Sequence, residues 1–111
     1  MSDECLFCKI ANGDLPTQLL VEDDYLVAFN DISPQAPVHM LIVPKKHIAT
    51  VNDLTEANAE IVSKLIMCAK TLAREQGISE SGYRLLLNCN AHGGQTVYHL
   101  HLHLLGGRQL G

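Results

Sequence analysis

The segment His99-Leu100-His101-Leu102-His103-Leu104-Leu105 sets histidine against leucine at every second position. A β-strand sends successive side chains to opposite faces, so this period directs three imidazoles to one face and the leucines to the other. The chain must therefore build a sheet with one apolar face and one chemical face. Histidine, with an ordinary pKa of about 6.5, gains or loses a proton near neutrality, and its neutral ring is both a metal ligand and a nucleophile. Neighbouring rings on one face each need partners for their nitrogens, so three in alternation point to a site more strongly than a lone histidine does.

The rest of the composition narrows what such a site can serve. The 111 residues suit one domain (1–111) with a buried core. A net charge of -4, with Lys45-Lys46 as the one basic pair, gives no footprint for nucleic acid or an anionic membrane. No apolar run is long enough to span a bilayer, and Met1-Ser2-Asp3-Glu4 is acidic where a secretory signal is basic, so a cytoplasmic protein is expected. In that reducing setting the four cysteines are thiols. Cys5 and Cys8 form Cys-x-x-Cys, whereas Cys68 and Cys89 read as small core residues.

Local signals divide the chain into an α+β pattern. A short helix is expected over about Cys5–Asn12, stopped by Gly13 ahead of Pro16. Strands are expected over Gln18–Val21 and Tyr25–Asn30 around the turn Glu22-Asp23-Asp24. Two prolines make Ser33–Pro37 a loop, followed by a buried strand His39–Val43. Asp53 and Glu56 resemble a capping box at the head of one long helix, whose stripe is Leu54, Ala57, Ile61, Leu65, Ala69 and Leu72, and which Gly77 ends. Strands at Tyr83–Cys89 and Val97–Leu105 flank the turn Asn90–Gln95 and suggest an antiparallel hairpin. The sum is a mostly antiparallel sheet of five strands, with one long and one short helix packed on one face.

Alternate strand positions lie about 7 Å apart, near enough for two imidazoles to share a metal ion. The other chemical reading is catalysis by one ring with its neighbours as orienters. Gly93-Gly94-Gln95-Thr96 just before the strand favours a phosphoryl site, since glycines let backbone N–H groups approach anionic oxygens and Gln95 and Thr96 add donors.

The alternating motif resembles the signature of the histidine triad (HIT) family of nucleotide hydrolases and transferases. Ala28–Pro37, Val43-Pro44-Lys45-Lys46-His47 and Gly93–Gly107 with Arg108 are similar to its Hint branch, the nucleoside phosphoramidases. The resemblance implies His101 as nucleophile on the α-phosphorus of a purine nucleotide (an AMP or GMP conjugate), with a nucleotidyl-histidine intermediate. It implies His103 on the phosphate or bridging atom, His99 in the triad and His39 behind it. Asp31 would take the ribose hydroxyls, Phe7, Ile10, Phe29 and Ile32 the purine, and Asn88, Gly94, Gln95 and Thr96 the phosphate side.

The resemblance further implies a homodimer with a sheet continuous across the interface, resting on the long helix and the strand near Tyr83–Cys89. Cys5, Cys8, His47 and His99 make a Cys2His2 set of the number and type that hold a structural tetrahedral zinc. Zinc-bearing family members use this arrangement, which is expected here to lie remote from the chemistry and to be unneeded for catalysis. The chain ends soon after Gly106-Gly107-Arg108, in the region the family ties to leaving-group preference. Alternatives to phosphoramidate hydrolysis are dinucleoside polyphosphate hydrolysis, a nucleotide-sensing or protein-binding module, and a metallohydrolase ligated by His99, His101 and His103.

Overall fold

A computed structural model of the chain describes residues 5–111, so Met1–Glu4 lie outside it. Its elements in chain order are α1 (Leu6–Ala11), β1 (Val21–Glu22), β2 (Leu26–Asn30), β3 (Val38–Pro44), α2 (Glu60–Glu75), β4 (Tyr83–Leu86) and β5 (Leu102–Gly106). The strands form one sheet in the order β1-β2-β3-β5-β4, and every pairing is antiparallel.

Period-two alternation splits the sheet into two faces with two cores. Leu26 and Ala28 of β2, Met40 and Ile42 of β3, and Leu102 and Leu104 of β5 pack with Leu65, Ala69 and Leu72 of α2. The alternate residues Val27, Phe29, Leu41 and Val43 pack instead with Phe7, Ile10 and Ala11 of α1. The expectation of helices on one face is thereby corrected. The amphipathic α2 covers one side, and α1, whose Phe7 and Ile10 are also apolar, finds its own partners on the other.

Three boundaries also differ. The capping box belongs to Thr50 and Asp53 around the 3-10 turn Val51–Asp53: the Asp53 carboxylate accepts the Thr50 N–H, and the Thr50 hydroxyl oxygen accepts the Asn52 N–H. The long helix starts only at Glu60, from an N-cap Ala59 that offers no side-chain cap. The strand expected at Gln18–Val21 shrinks to Val21–Glu22, and that at Tyr83–Cys89 ends at Leu86.

The histidine strand begins at Leu102 rather than Val97. Its partner β3 ends at Pro44, which has no N–H to extend a ladder and whose carbonyl is taken by the His99 ring. The Leu100 N–H donates to Ile48 O at 2.6 Å instead. β4 and β5 do pair, from Tyr83↔Gly106 to Leu86↔His103, but through the long loop 87–101 rather than a tight hairpin. Gly107, at φ +92°, turns the chain beside Pro37, whose Cβ lies 2.8 Å from where a Gly107 Cβ would stand. Cys68 and Cys89 are both half-buried, with Cys68 packed against the α2 core, and burial raises the Cys68 thiol to about 11, helped by Asp23 and Glu75.

Candidate active site

A cleft of about 450 Å³ opens on the α1 face of the sheet. His101 and His103 reach it from the β5 side, and Asn88, Gly94 and Thr96 from the loop before them. Its apolar wall is Phe7 and Ile10 of α1 with Phe29 of β2, while Asp31 and the fully exposed Ile32 stand at the rim. The volume lies in the range of small-molecule sites. Ile10 serves both readings, as a member of the second core and as a wall of the cleft.

The tautomers of His101 and His39 each follow from a hydrogen bond to a group that can only accept or only donate, and that of His103 follows from His39. Nδ1 of buried His101 donates to the His99 carbonyl at 2.7 Å, leaving the Nε2 lone pair. Burial lowers the His101 pKa, opposed by that hydrogen bond and by Asp31, so the ring is neutral at physiological pH. Behind it, the Gln35 N–H donates to His39 Nδ1 at 3.0 Å. His39 Nε2 therefore bears the proton and donates to His103 Nδ1 at 2.9 Å, with Asp31 Oδ2 3.5 Å from the same nitrogen. This leaves Nε2–H on His103, buried and without a partner among the described residues. Burial, with His101 and His39 nearby, lowers His103 to about 4.

One face of the cleft thus holds a lone pair on His101 and, with ring centroids 5.0 Å apart, a donor on His103. Such a pair can attack an electrophilic centre and hold the oxygen or nitrogen attached to it. Asp31, His39 and His103 also converge closely enough to suggest a metal. Their protons argue otherwise, because His39 Nε2 has no lone pair to give while Nδ1 accepts from Gln35.

Cys5, Cys8, His47 and His99 do converge as a ligand set. The two Sγ atoms stand 3.1 to 3.5 Å from Nδ1 of His47 and His99, and those nitrogens are 3.3 Å apart. A tetrahedral zinc with ordinary bond lengths needs edges of about 3.3 Å for N–N and about 3.6 Å for S–N. The tautomer suits as well: Nε2 of the fully buried His99 donates to Pro44 O at 2.7 Å, turning the Nδ1 lone pair to the cluster. Burial lowers the His99 ring to about 4 despite that bond. The expected remoteness of this cluster is corrected, since His99 also supplies the carbonyl that orients His101.

Of the residues expected to hold the nucleotide, Gln95 alone turns away from the cleft, while His39 and His99 stand behind its wall. Its Oε1 accepts the Asn90 N–H at 2.8 Å and its Nε2 donates to Ala49 O and Val97 O. It clasps the loop 90–95, where Asn90 holds φ 62° and Gly94 φ 82°. Sequence reasoning missed Leu6, Leu15, Thr17, Asn30, Leu41 and Val97. Leu41 was findable, because it pairs with His103 and so shares the chemical face. Leu15 and Thr17 sit in an aperiodic loop around Pro16 and carry no pattern.

The comparisons with known proteins agree with this geometry. The HIT domain family model matches residues 12–110. The chain is 49% identical over 111 residues to purine nucleoside phosphoramidase of Escherichia coli K12, covering 100% of this chain and 93% of that one. It is 44% identical over 110 residues to an uncharacterized HIT-like protein of Synechococcus elongatus, covering 99% and 96%. Among solved structures, a HIT family hydrolase from Legionella pneumophila Philadelphia 1 superposes with TM-score 0.94 at 56% identity, covering 96% of each chain. One from Clostridium thermocellum superposes with TM-score 0.95 at 49% identity, covering 98% of this chain and 95% of that one. With its triad on the cleft face of an antiparallel five-stranded sheet, the chain belongs to the HIT domain family.

Proposed function

We propose that the chain, as one HIT domain, is a purine nucleoside phosphoramidase. The observation that carries this reading is the pairing of an Nε2 lone pair on His101 with an Nε2–H on His103 in one cleft. His101 Nε2 attacks the α-phosphorus of a nucleoside 5'-phosphoramidate, a P–N bond to His101 forms, and the bond to the amine breaks as the amine takes a proton from solvent, which the hydrolytic water gives back in the second step. Water then cleaves the nucleotidyl-histidine, releasing the nucleoside 5'-monophosphate and neutral His101. His103 Nε2–H holds the phosphate or bridging atom, Asp31 the ribose, and Phe7, Ile10, Phe29 and Ile32 the purine. Asn88, Gly94 and Thr96 border the phosphate; Gln95 acts by shaping their loop.

The fit of the four ligand atoms supports a structural zinc held by Cys5, Cys8, His47 and His99, and a cytoplasmic setting would keep both thiols reduced. The reading includes a homodimer built on the edge strand β4 and on α2, where Ile66 and Met67 are exposed. Sedimentation equilibrium is expected to give a dimer for the native chain and a monomer for Met67→Glu; a native monomer overturns that part.

Turnover of adenosine 5'-phosphoramidate beside diadenosine polyphosphates tests the activity. His101→Ala is expected to abolish phosphoramidate hydrolysis while still binding AMP. Faster turnover of the polyphosphates would make them the substrate class, and full activity of the variant would remove His101 as nucleophile.

A further inference from the structure

The metal-ligand cluster reaches the cleft by two separate arms. The first is α1. Cys5 is its N-cap, with Sγ accepting the Cys8 N–H at 3.2 Å, and the same sulfur lies 3.3 Å from His99 Nδ1. Between the two cysteines, Phe7 lines the cleft and meets the His101 ring edge-on, with centroids 4.9 Å apart and 5.6 Å from Phe29. A helix of six residues cannot hold itself in water, so Phe7 stays in place only as well as its neighbours are fixed. The second arm is backbone: His99 is anchored through Nε2 to Pro44 O, and its carbonyl fixes the His101 ring.

The same four side chains therefore set the position of an aromatic wall and of a triad ring. We infer that Cys5, Cys8, His47 and His99 are positioning residues for the nucleotide cleft, so that a divalent metal ion in the cluster and a purine nucleotide in the cleft each tighten the other's binding. This rests on the zinc and nucleotide readings above. Linkage requires the two effects to be equal in size: whatever factor the metal adds to nucleotide affinity, the nucleotide adds to metal affinity. Coupling between sites usually amounts to about fivefold or more.

Calorimetric titration of AMP into zinc-loaded and chelator-stripped protein measures one side of the cycle. Partition of zinc between the loaded protein and a chromophoric chelator, with and without saturating AMP, measures the other. Stripped protein is expected to bind AMP about fivefold more weakly or worse, and AMP to tighten zinc by the same factor. Phe7→Leu, which cuts the first arm but keeps all four ligands, is expected to hold one zinc per chain with a smaller factor on both sides. If circular dichroism shows the stripped protein unfolded, the chelator partition on loaded protein still reads the coupling. One zinc per chain with a partition unmoved by AMP overturns the inference and leaves the metal site standing. Native protein with no stoichiometric zinc and both thiols reactive overturns the metal reading and the inference with it.

Discussion

His39 sits on β3, not on the triad strand, yet the proton position of His103 depends on it. Its Nδ1 is committed to the Gln35 N–H, so its Nε2–H must point at His103, and His103 must then present Nε2–H to the cleft. Without His39 the His103 ring can equally carry its proton on Nδ1 and offer the wrong group to substrate. His39→Ala is expected to lower kcat by about a hundredfold, the lower end of what a positioned proton donor contributes, with KM changed little. Steady-state kinetics on adenosine 5'-phosphoramidate checks this, and an unchanged kcat would remove His39 from the proton chain. Asp31 supports the same ring from 3.5 Å but also accepts the Ser33 N–H through Oδ1 at 2.7 Å, which fixes its carboxylate at the cleft rim.

At the scale of elements, legibility followed how local the deciding interaction is. Gly77 ends α2 as the sequence indicates, and Leu102 and Leu104 of β5 face α2 because alternation alone decides which side they take. The start of α2 was misplaced because the cap signal at Asp53 serves Thr50, while the true N-cap, Ala59, carries no signal. The shortened histidine strand depends on Pro44, a partner far away in sequence, and the second core that draws α1 to the other face likewise joins residues of α1, β2 and β3 that are distant in sequence. Gln95 shows the same limit within the site: its residue type suits a phosphate donor, but three backbone groups already use its amide. The Thr50 box can be tested directly. Thr50 is buried, caps the 3-10 turn and donates its hydroxyl to Asp53 at 3.0 Å. Thr50→Ala is expected to cost about 1 kcal/mol of stability, read by urea unfolding, with cleft chemistry unaltered. A loss within experimental error would show that the turn is held by its contacts alone.

Across the whole molecule, the cleft places neutral imidazoles against buried apolar walls, and this ties folding to pH. His103 titrates near 4 in the folded chain against about 6.5 when unfolded, chiefly through burial and with His101, His39 and Asp31 as its charged or titratable neighbours. Between those two values the unfolded chain binds more protons than the folded one, so stability rises with pH there. The contribution of the neutral ring is fully present above about 6.5 and is lost progressively as pH falls toward 4. The Tm is therefore expected to decline as pH falls through that window, and His103→Asn, which cannot take up a proton, to show a shallower decline. Scanning calorimetry of both proteins between pH 4 and pH 7.5 separates this from carboxylate titration, which both share. Parallel curves would mean that the His103 ring takes up a proton in the cleft as readily as in the unfolded chain. A steeper native curve would mean that the unpartnered Nε2–H, kept for a ligand, is held in place by burial that the fold gives up in acid.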